Sequence, residues 1–258
     1  MNKSGSGRRC TPPGGARASR SLSREVLRDF DGNVVRANRL PLLAALALGL
    51  TAAAIAMVFF YAPVDADGFN QKIFYFHVSI ALTAYVCFGW GAWKAFVHLW
   101  KRRPGADLES YVAIHQGVIF GVLVLVTGSI WARYRWGHWW VWSSNQLVLF
   151  LVLFLFYAAY FMLRYSIEAG ARRENLSAVY AIFGVVLIPV SWLAIHLAQD
   201  IIHPVVFTSR GPQLGGSELV TFVVSLAAAL SLAACMYHVE LAGKRLDARL
   251  RSLRELLA

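Results

Sequence analysis

The fold of this chain follows from residues 146–163, which read QLVLFLVLFLFYAAYFML. None of these eighteen residues is charged, and a helix formed by them would be apolar on every side. About 20 apolar residues in a helix are enough to cross a hydrocarbon core of about 30 Å. A helix that is apolar all round is buried in a protein or in a membrane. The stretch therefore predicts a transmembrane helix.

Five further stretches of the same kind lie on either side of it. They are predicted to span the membrane at residues 42–61, 73–100, 111–131, 178–197 and 219–237. Of the 258 residues, 58% are hydrophobic and 15% are charged, and the mean hydropathy is +0.52. A soluble domain carries about 25% charged residues. The sequence predicts an all-α integral membrane protein with six transmembrane helices.

The positions of Lys and Arg predict the orientation of these helices. Twenty of the 25 lie in the N-terminal tail, in the C-terminal segment and in two connections on the same side. The opposite side carries four, which are Lys72, Arg133, Arg135 and Arg210. Because cytoplasmic loops are the positively charged ones, both termini are predicted to be cytoplasmic. The net charge of +11 then reflects topology and contact with membrane lipid, and nucleic acid is not a predicted partner.

Three parts are expected along the chain. Residues 1–40 form a disordered basic tail with an interfacial helix, 41–240 form the six-helix membrane domain, and 241–258 form a cytoplasmic surface helix. The predicted location is the cell inner (cytoplasmic) membrane. The tail has no acidic residue before Glu25, and if it is a transit peptide the location is the mitochondrial inner membrane.

The connection between the third and fourth spans is unusually rich in tryptophan. Residues 131–142 contain five of the nine tryptophans, and Gly137 allows a tight turn among them. One interpretation is an aromatic belt at the membrane interface. The other is a flat apolar wall on which a large planar ligand stacks. A belt spreads over all helix ends, so clustering in one loop favours the ligand wall.

Two histidines are predicted on the same side as this loop. His77 lies near the start of the second span, and His203 follows the fifth. Pro204 restricts His203 to an extended conformation. Two neutral imidazoles facing one another ligate haem iron on both faces, whereas a hydrogen-bonded interfacial role is the alternative for each histidine. His196, two helical turns before His203, is a reserve ligand.

Basic residues on the same side are candidates for pairing with the two haem propionates. Arg133 and Arg135 flank the tryptophan run, and His138 lies inside it. Lys72 precedes the second span, and Arg210 lies between the fifth and sixth spans. Cationic donors form strong hydrogen bonds with carboxylates. Ordinary solvated charge at the interface is the alternative for these side chains.

Residues 136–142, WGHWWVW, resemble the tryptophan-rich WWD signature of the CcmC/CcsA cytochrome c assembly family, and within it the haem exporter protein C (CcmC) family. The motifs at 73–78 (IFYFHV), 127–131 (TGSIW) and 202–204 (IHP) resemble that family in the same order. The resemblance covers about residues 40–240. The final Asp of the signature is replaced by Ser143, which can cap a helix but supplies no carboxylate.

This resemblance implies a b-type haem bound non-covalently on the outer face, with His77 and His203 as the metal ligands. The other implied cofactor-binding residues are Trp136, Gly137, Trp139, Trp140, Trp142, Arg133 and Arg135. No catalytic residue is implied, so the resemblance favours a haem-binding and delivery protein over an enzyme. The implied partners are a CcmE-like haem chaperone, which receives the haem, and ABC-type transporter subunits like CcmA and CcmB.

Two other functions stay open at this stage. A cytochrome c synthetase of the CcsA type shares the tryptophan signature, but such proteins generally have more spans. A small-molecule transporter without haem would have helices broken near the middle of the membrane. Only Pro189 lies inside a predicted span, which favours the haem-binding protein.

Overall fold

A computed structural model describes residues 40–64, 68–197, 207–208 and 211–257. The predicted tail and its interfacial helix lie outside the described residues, as do His203 and Arg210. The chain divides into two compact units, Met1–Leu42 and Leu43–Ala258. The described part of the first unit, residues 40–42, is helical, and the second unit contains the rest of the architecture.

The described ranges contain seven α-helices and one very short hairpin. In chain order the elements are α1 (Leu40–Ala56, continued by a π-helical turn, Met57–Tyr61), a 3-10 turn (Gly68–Lys72), α2 (Ile73–Lys101), α3 (Ala106–Trp136), α4 (Asn145–Ser166), α5 (Ala171–Val185), α6 (Leu187–Leu197), the strands β1 (Phe207–Thr208) and β2 (Gly211–Pro212), and α7 (Gly216–Leu257). The two strands pair antiparallel, with Phe207 opposite Pro212.

Six helical stretches are long and apolar enough to cross a membrane. They are Leu40–Tyr61, Ile73–Lys101, Ala106–Trp136, Asn145–Ser166, Ala171–Ser191 and Gly216–Glu255. This confirms the predicted all-α class with six spanning helices. The third is longer than predicted at both ends. At its start, Asp107 and Glu109 form ion pairs with residues of neighbouring helices, and at its other end the helix continues until Gly137.

The fifth span consists of two helices. α5 ends at Val185, and α6 begins at Leu187. Pro189 explains the break, because it lacks the N–H that would bond to the carbonyl four residues earlier and its ring clashes with that carbonyl. The fifth span was predicted as one continuous helix, and the break lies about one turn before the proline itself.

The sixth span continues without interruption into the predicted surface helix. α7 contains 42 residues, which corresponds to about 63 Å at 1.5 Å per residue. No break marks the expected boundary at residue 241, since Glu240 and Arg245 both contact α3. From Leu246 to Glu255 the side chains are exposed, so the last turns of α7 extend past the packed part of the helix.

Small residues allow the central helices α2, α3 and α4 to approach closely. A Cβ atom at Gly91 would lie 2.6 Å from Ile114, and one at Gly117 would lie 2.6 Å from the ring of Phe88. The Phe88 ring in turn stacks on Tyr157 of α4, with 4.1 Å between the ring centroids. Close packing of small residues is a main source of helix association in membranes. These contacts hold α2 against α3 and bring α4 into direct contact with α2.

Ion pairs join the helices at the end of the bundle where α2 ends, α3 begins and α4 ends, which we call the charged end. Glu109 of α3 accepts hydrogen bonds from Lys94 of α2 (2.9 Å), from Arg103 and from Arg245 of α7 (3.1 Å). Arg164 of α4 donates two hydrogen bonds to Asp107 of α3, at 2.8 and 2.5 Å. These pairs fix the register of four helices relative to one another.

Candidate ligand-binding site

A cavity opens at the opposite end of the bundle, where α2 begins, α3 ends and α4 begins. We call this end the tryptophan end. The cavity has about 790 Å³ of empty space, a figure that includes the open space at its mouth. Its lining consists of His77, Val78, Ala81, Leu82, Tyr85, Val124, Leu125, Gly128, Trp131, Trp136, Trp140, Gln146, Leu147 and Phe150. The described residues that line the cavity include no aspartate, glutamate, lysine or arginine.

His77 enters this cavity in a defined orientation. Its Nδ1 atom lies 2.9 Å from the Thr127 hydroxyl of α3. That hydroxyl donates its own proton to the Leu123 carbonyl at 2.7 Å, so its oxygen accepts from Nδ1–H. The proton is thus assigned to Nδ1, and the lone pair to Nε2. This is the arrangement in which a histidine ligates a metal through Nε2 while a second residue orients the ring.

Gly128 makes room for the imidazole against α3. A Cβ atom at this position would lie 2.9 Å from Cε1 of His77 and 3.7 Å from each ring nitrogen. Real Cβ atoms essentially never come within 3.0 Å of another heavy atom, so any larger residue would displace the ring. The motif at 127–131 therefore positions His77 in two ways. Thr127 forms a hydrogen bond with the imidazole, and Gly128 leaves the space that the ring occupies.

Three tryptophans share the cavity with His77. Trp131 and Trp136 lie on the last turns of α3, with ring centroids 5.1 Å apart in an edge-to-face arrangement. Trp140 lies in the loop that follows. Indole rings supply broad apolar surface with one polar N–H each, so this part of the wall suits a planar, mostly apolar ligand.

The predicted tryptophan platform is only partly at the cavity. Trp136 and Trp140 line it, but Trp139 and Trp142 do not, and their side chains are 61% and 73% exposed. Trp131, which belongs to the predicted tryptophan wall but not to the residues implied by the family resemblance, does line it. Residues 124, 128 and 131 fall on one helix face, and all three line the cavity.

Gly137 turns the chain as predicted. Its φ of 77° lies in the left-handed region that favours glycine, and its N–H donates to the Arg133 carbonyl at 3.1 Å, which ends α3. The Arg133 side chain donates back to the Gly137 carbonyl. Arg133 and Arg135 are exposed, and neither lines the cavity. Ser143, in place of the signature Asp, is also exposed.

Lys72 has a different environment from the solvated loop charge that the sequence indicated. The residue is buried, and its ammonium group donates to the carbonyls of Val58 at 2.7 Å and Ala62 at 3.2 Å. These carbonyls lie at the end of the first span, where a helix carries partial negative charge. Lys72 therefore holds the first span against the start of α2.

The remaining histidines lie away from the cavity wherever their side chains are described. His115 contacts Glu240 at 2.8 Å, and His98 contacts Asn175 at 3.2 Å, both toward the charged end. His138 is exposed in the tryptophan loop. His196 lies near the end of α6, but its side chain is outside the described part of the structure. The whole of His203 is also outside it. The role of His203 thus stays a prediction from sequence.

Comparisons with known proteins agree with the motifs. The sequence model of the family described as "Heme exporter protein C" matches residues 32–255. A heme exporter protein C of Bradyrhizobium diazoefficiens is 29% identical over 226 residues, which cover 85% of this chain and 83% of the relative. The heme exporter protein C of Escherichia coli K12 is 30% identical over 133 residues, covering 51% of this chain and 54% of the relative.

A similar protein also occurs in a plant organelle. A cytochrome c biosynthesis ccmC-like mitochondrial protein of Arabidopsis thaliana is 27% identical over 194 residues, which cover 75% of this chain and 73% of the relative. The family match extends over most of the chain and includes His77, the tryptophan loop and all six spanning helices. The chain therefore belongs to the haem exporter protein C (CcmC) family, a membrane protein family of haem transport and cytochrome c maturation.

Proposed function

We propose that this protein binds a b-type haem non-covalently at the outer face of the membrane and presents it to a CcmE-like haem chaperone. The observation that supports this most directly is the cavity that brings His77 together with Trp131, Trp136 and Trp140. An oriented imidazole beside several indole rings suits an iron porphyrin, whose ring is planar and mostly apolar and whose metal accepts axial nitrogen ligands.

We assign separate roles in haem binding to the residues of the cavity. His77 ligates the iron through Nε2, and His203 is the second ligand predicted from the sequence. Trp131, Trp136 and Trp140, which all line the cavity, supply the aromatic surface against which the porphyrin packs. The lack of charged lining residues keeps the inner part of the cavity apolar, so that burial of the ring is favourable at about 25 cal/mol per Å² of apolar surface.

The exposed tryptophans suit the presentation step. Trp139 and Trp142 are exposed in the loop that also carries Trp140, and exposed tryptophans are frequent anchors in protein interfaces. A chaperone that docks on Trp139 and Trp142 would contact the same loop that supplies Trp140 to the cavity wall. The protein itself supplies binding and orientation for this transfer.

The other partners and the location are proposed from the family relationship and from the distribution of charge. ABC-type subunits similar to CcmA and CcmB are the proposed transporter partners, and anionic lipid meets the basic side. The bacterial relatives favour the cell inner membrane, with both termini cytoplasmic. The plant mitochondrial relative keeps the mitochondrial inner membrane as the alternative if the tail is a transit peptide.

The absorption spectrum of the protein purified in mild detergent tests the proposal. We expect a low-spin Soret band, and sharp α and β bands after reduction with dithionite. A colourless protein that takes up no added haem would favour a transporter without haem. Co-purification with an apocytochrome rather than a haem chaperone would favour the CcsA-type synthetase.

Adjacent tryptophans offer a matched test of the cavity wall. Trp140→Ala is expected to weaken haem binding about tenfold, or about 1.4 kcal/mol, because it removes an indole from the wall. Trp139→Ala, which removes an exposed indole, is expected to change haem affinity less than about twofold. Haem titration followed at the Soret band measures both. Equal losses would favour the aromatic belt.

Gly128 provides a second test, of the geometry around His77. Gly128→Ala is expected to push the imidazole away from α3 and to lower the low-spin fraction of bound haem. The thermal stability of the variant should not fall, because alanine favours helix by about 1 kcal/mol over glycine. Gly89→Ala is the control, since a Cβ there meets no atom within 4 Å. An unchanged spectrum in Gly128→Ala would contradict the role of Gly128.

A further inference from the structure

Two polar atoms in residues of the cavity wall have no hydrogen-bond partner. They are Nε1 of Trp140 and the side-chain oxygen Oε1 of Gln146, and both atoms are buried. Most buried polar atoms in proteins are paired, and leaving one unpaired costs about 1–3 kcal/mol. Of the unpaired buried side-chain atoms found in the described ranges, these two alone belong to cavity-lining residues. A ligand that fills the cavity is the natural source of their missing partners.

The two residues line the cavity at the tryptophan end of the bundle. Gln146 is the second residue of α4, and Trp140 lies in the loop just before that helix. The first turn of a helix carries partial positive charge, which favours an acidic group nearby. Further along the same helices, the lining residues Leu82, Val124 and Phe150 are apolar. The cavity is therefore polar toward its helix termini and mostly apolar in its deeper part, where the Tyr85 hydroxyl is paired with Ser191.

We propose that Trp140 and Gln146 form a hydrogen-bonding site for one carboxyl group of the porphyrin. This inference rests on the proposed function and deepens it, because it assigns the orientation of the ligand. Methyl and vinyl groups on the porphyrin rim offer neither donor nor acceptor, whereas a propionic acid side chain offers both. The carboxyl edge then lies beside Trp140 and Gln146, and the vinyl edge points toward Phe150.

The chemistry of the two side chains suits either form of the carboxyl group. Trp140 Nε1–H donates to a carboxyl oxygen in both forms. Gln146 accepts from a protonated carboxyl through Oε1, or donates to an ionised one through Nε2 when its amide group turns by 180°. A leucine at position 146 would fill similar space without an unpaired atom, so the glutamine is explained by a ligand rather than by packing.

The arginines that the sequence favoured for this role are less well placed. Arg133 donates to the Gly137 carbonyl, and neither Arg133 nor Arg135 lines the cavity. Gln146 was not indicated by the sequence at all, because a single amide at the start of an apolar span is ordinarily read as an interfacial residue.

Titration with two ligands tests this inference on the full-length protein in detergent. The probes are haem and its dimethyl ester, in which both carboxyl groups are blocked. We expect the wild type to bind haem about tenfold more tightly than the ester, the effect of losing a hydrogen bond to a charged group. Gln146→Leu should weaken haem binding about tenfold while changing ester binding less than about twofold. Trp140→Phe, which keeps an aromatic ring but loses the N–H, should reduce the same preference.

Asn145→Leu is the matched control, because it removes an exposed amide one residue earlier and should leave both affinities unchanged. Equal weakening of haem and ester in Gln146→Leu, or no weakening of either, would overturn the carboxyl site while leaving haem binding itself intact. If the wild type binds neither probe, the proposed function fails, and this inference fails with it. The size-exclusion profile of each variant confirms that it is folded.

Discussion

Replacing His77 with alanine is expected to remove the low-spin haem spectrum of the purified protein. The imidazole is the only iron ligand that we assign among the described residues of the cavity, and its ring is held by Thr127 and Gly128. Without it, bound haem should become high-spin or be lost during purification. The Soret position and the α and β bands after dithionite measure the change, and His203→Ala should have the same effect.

Chemical rescue distinguishes a lost ligand from a damaged fold. Free imidazole added to His77→Ala should enter the vacated space and restore the low-spin bands. The control is His138→Ala, which removes an exposed histidine of the tryptophan loop and should leave the spectrum unchanged. A His77→Ala protein with the wild-type spectrum would show that His77 is not the ligand.

Arg164→Leu is expected to destabilise the protein by about 3–5 kcal/mol. The Arg164 and Asp107 side chains are 8% and 12% exposed and form two hydrogen bonds with one another, so the single variant leaves a carboxylate buried without its partner. The double variant Asp107→Leu/Arg164→Leu should be more stable than either single variant, because no unpaired charge remains. Unfolding in detergent followed by circular dichroism measures the free energies.

A less buried ion pair provides the comparison for this experiment. Nζ of Lys244 lies 3.6 Å from Oε1 of Glu240, one helical turn earlier in α7. The Lys244 side chain is 35% exposed. Pairs of this kind contribute about 0.5 kcal/mol or less, so Lys244→Met should change stability little. If Arg164→Leu costs no more than Lys244→Met, the buried pair does not fix the register of α3 and α4.

The sequence was sufficient to predict the spanning helices but not their ends. Their existence depends on hydropathy and length, which are local properties. The start of α3 at Ala106 depends on Arg164 of α4 and Lys94 of α2, which pair with Asp107 and Glu109. The continuity of α7 likewise depends on contacts of Glu240 and Arg245 with α3. Such partners are distant in the chain, so no local pattern indicates them.

The candidate site was predictable where a motif names the residue and not where helix packing selects it. His77, Trp136 and Trp140 belong to recognisable motifs and share the cavity. The supporting roles of Thr127 and Gly128 became visible only once α2 lay against α3. Gln146 was missed because its importance depends on the helix face that lines the cavity.

The most direct test of the central claim counts the histidine nitrogens bound to iron. Protein produced with ¹⁵N-labelled histidine and loaded with haem can be studied in the ferric state by electron–nuclear double resonance. We predict axial coupling to two histidine nitrogens in the wild type and to at most one in His77→Ala. A wild-type spectrum with no histidine nitrogen on the iron, or one that is unchanged in His77→Ala, would contradict the assignment of His77 as a haem ligand.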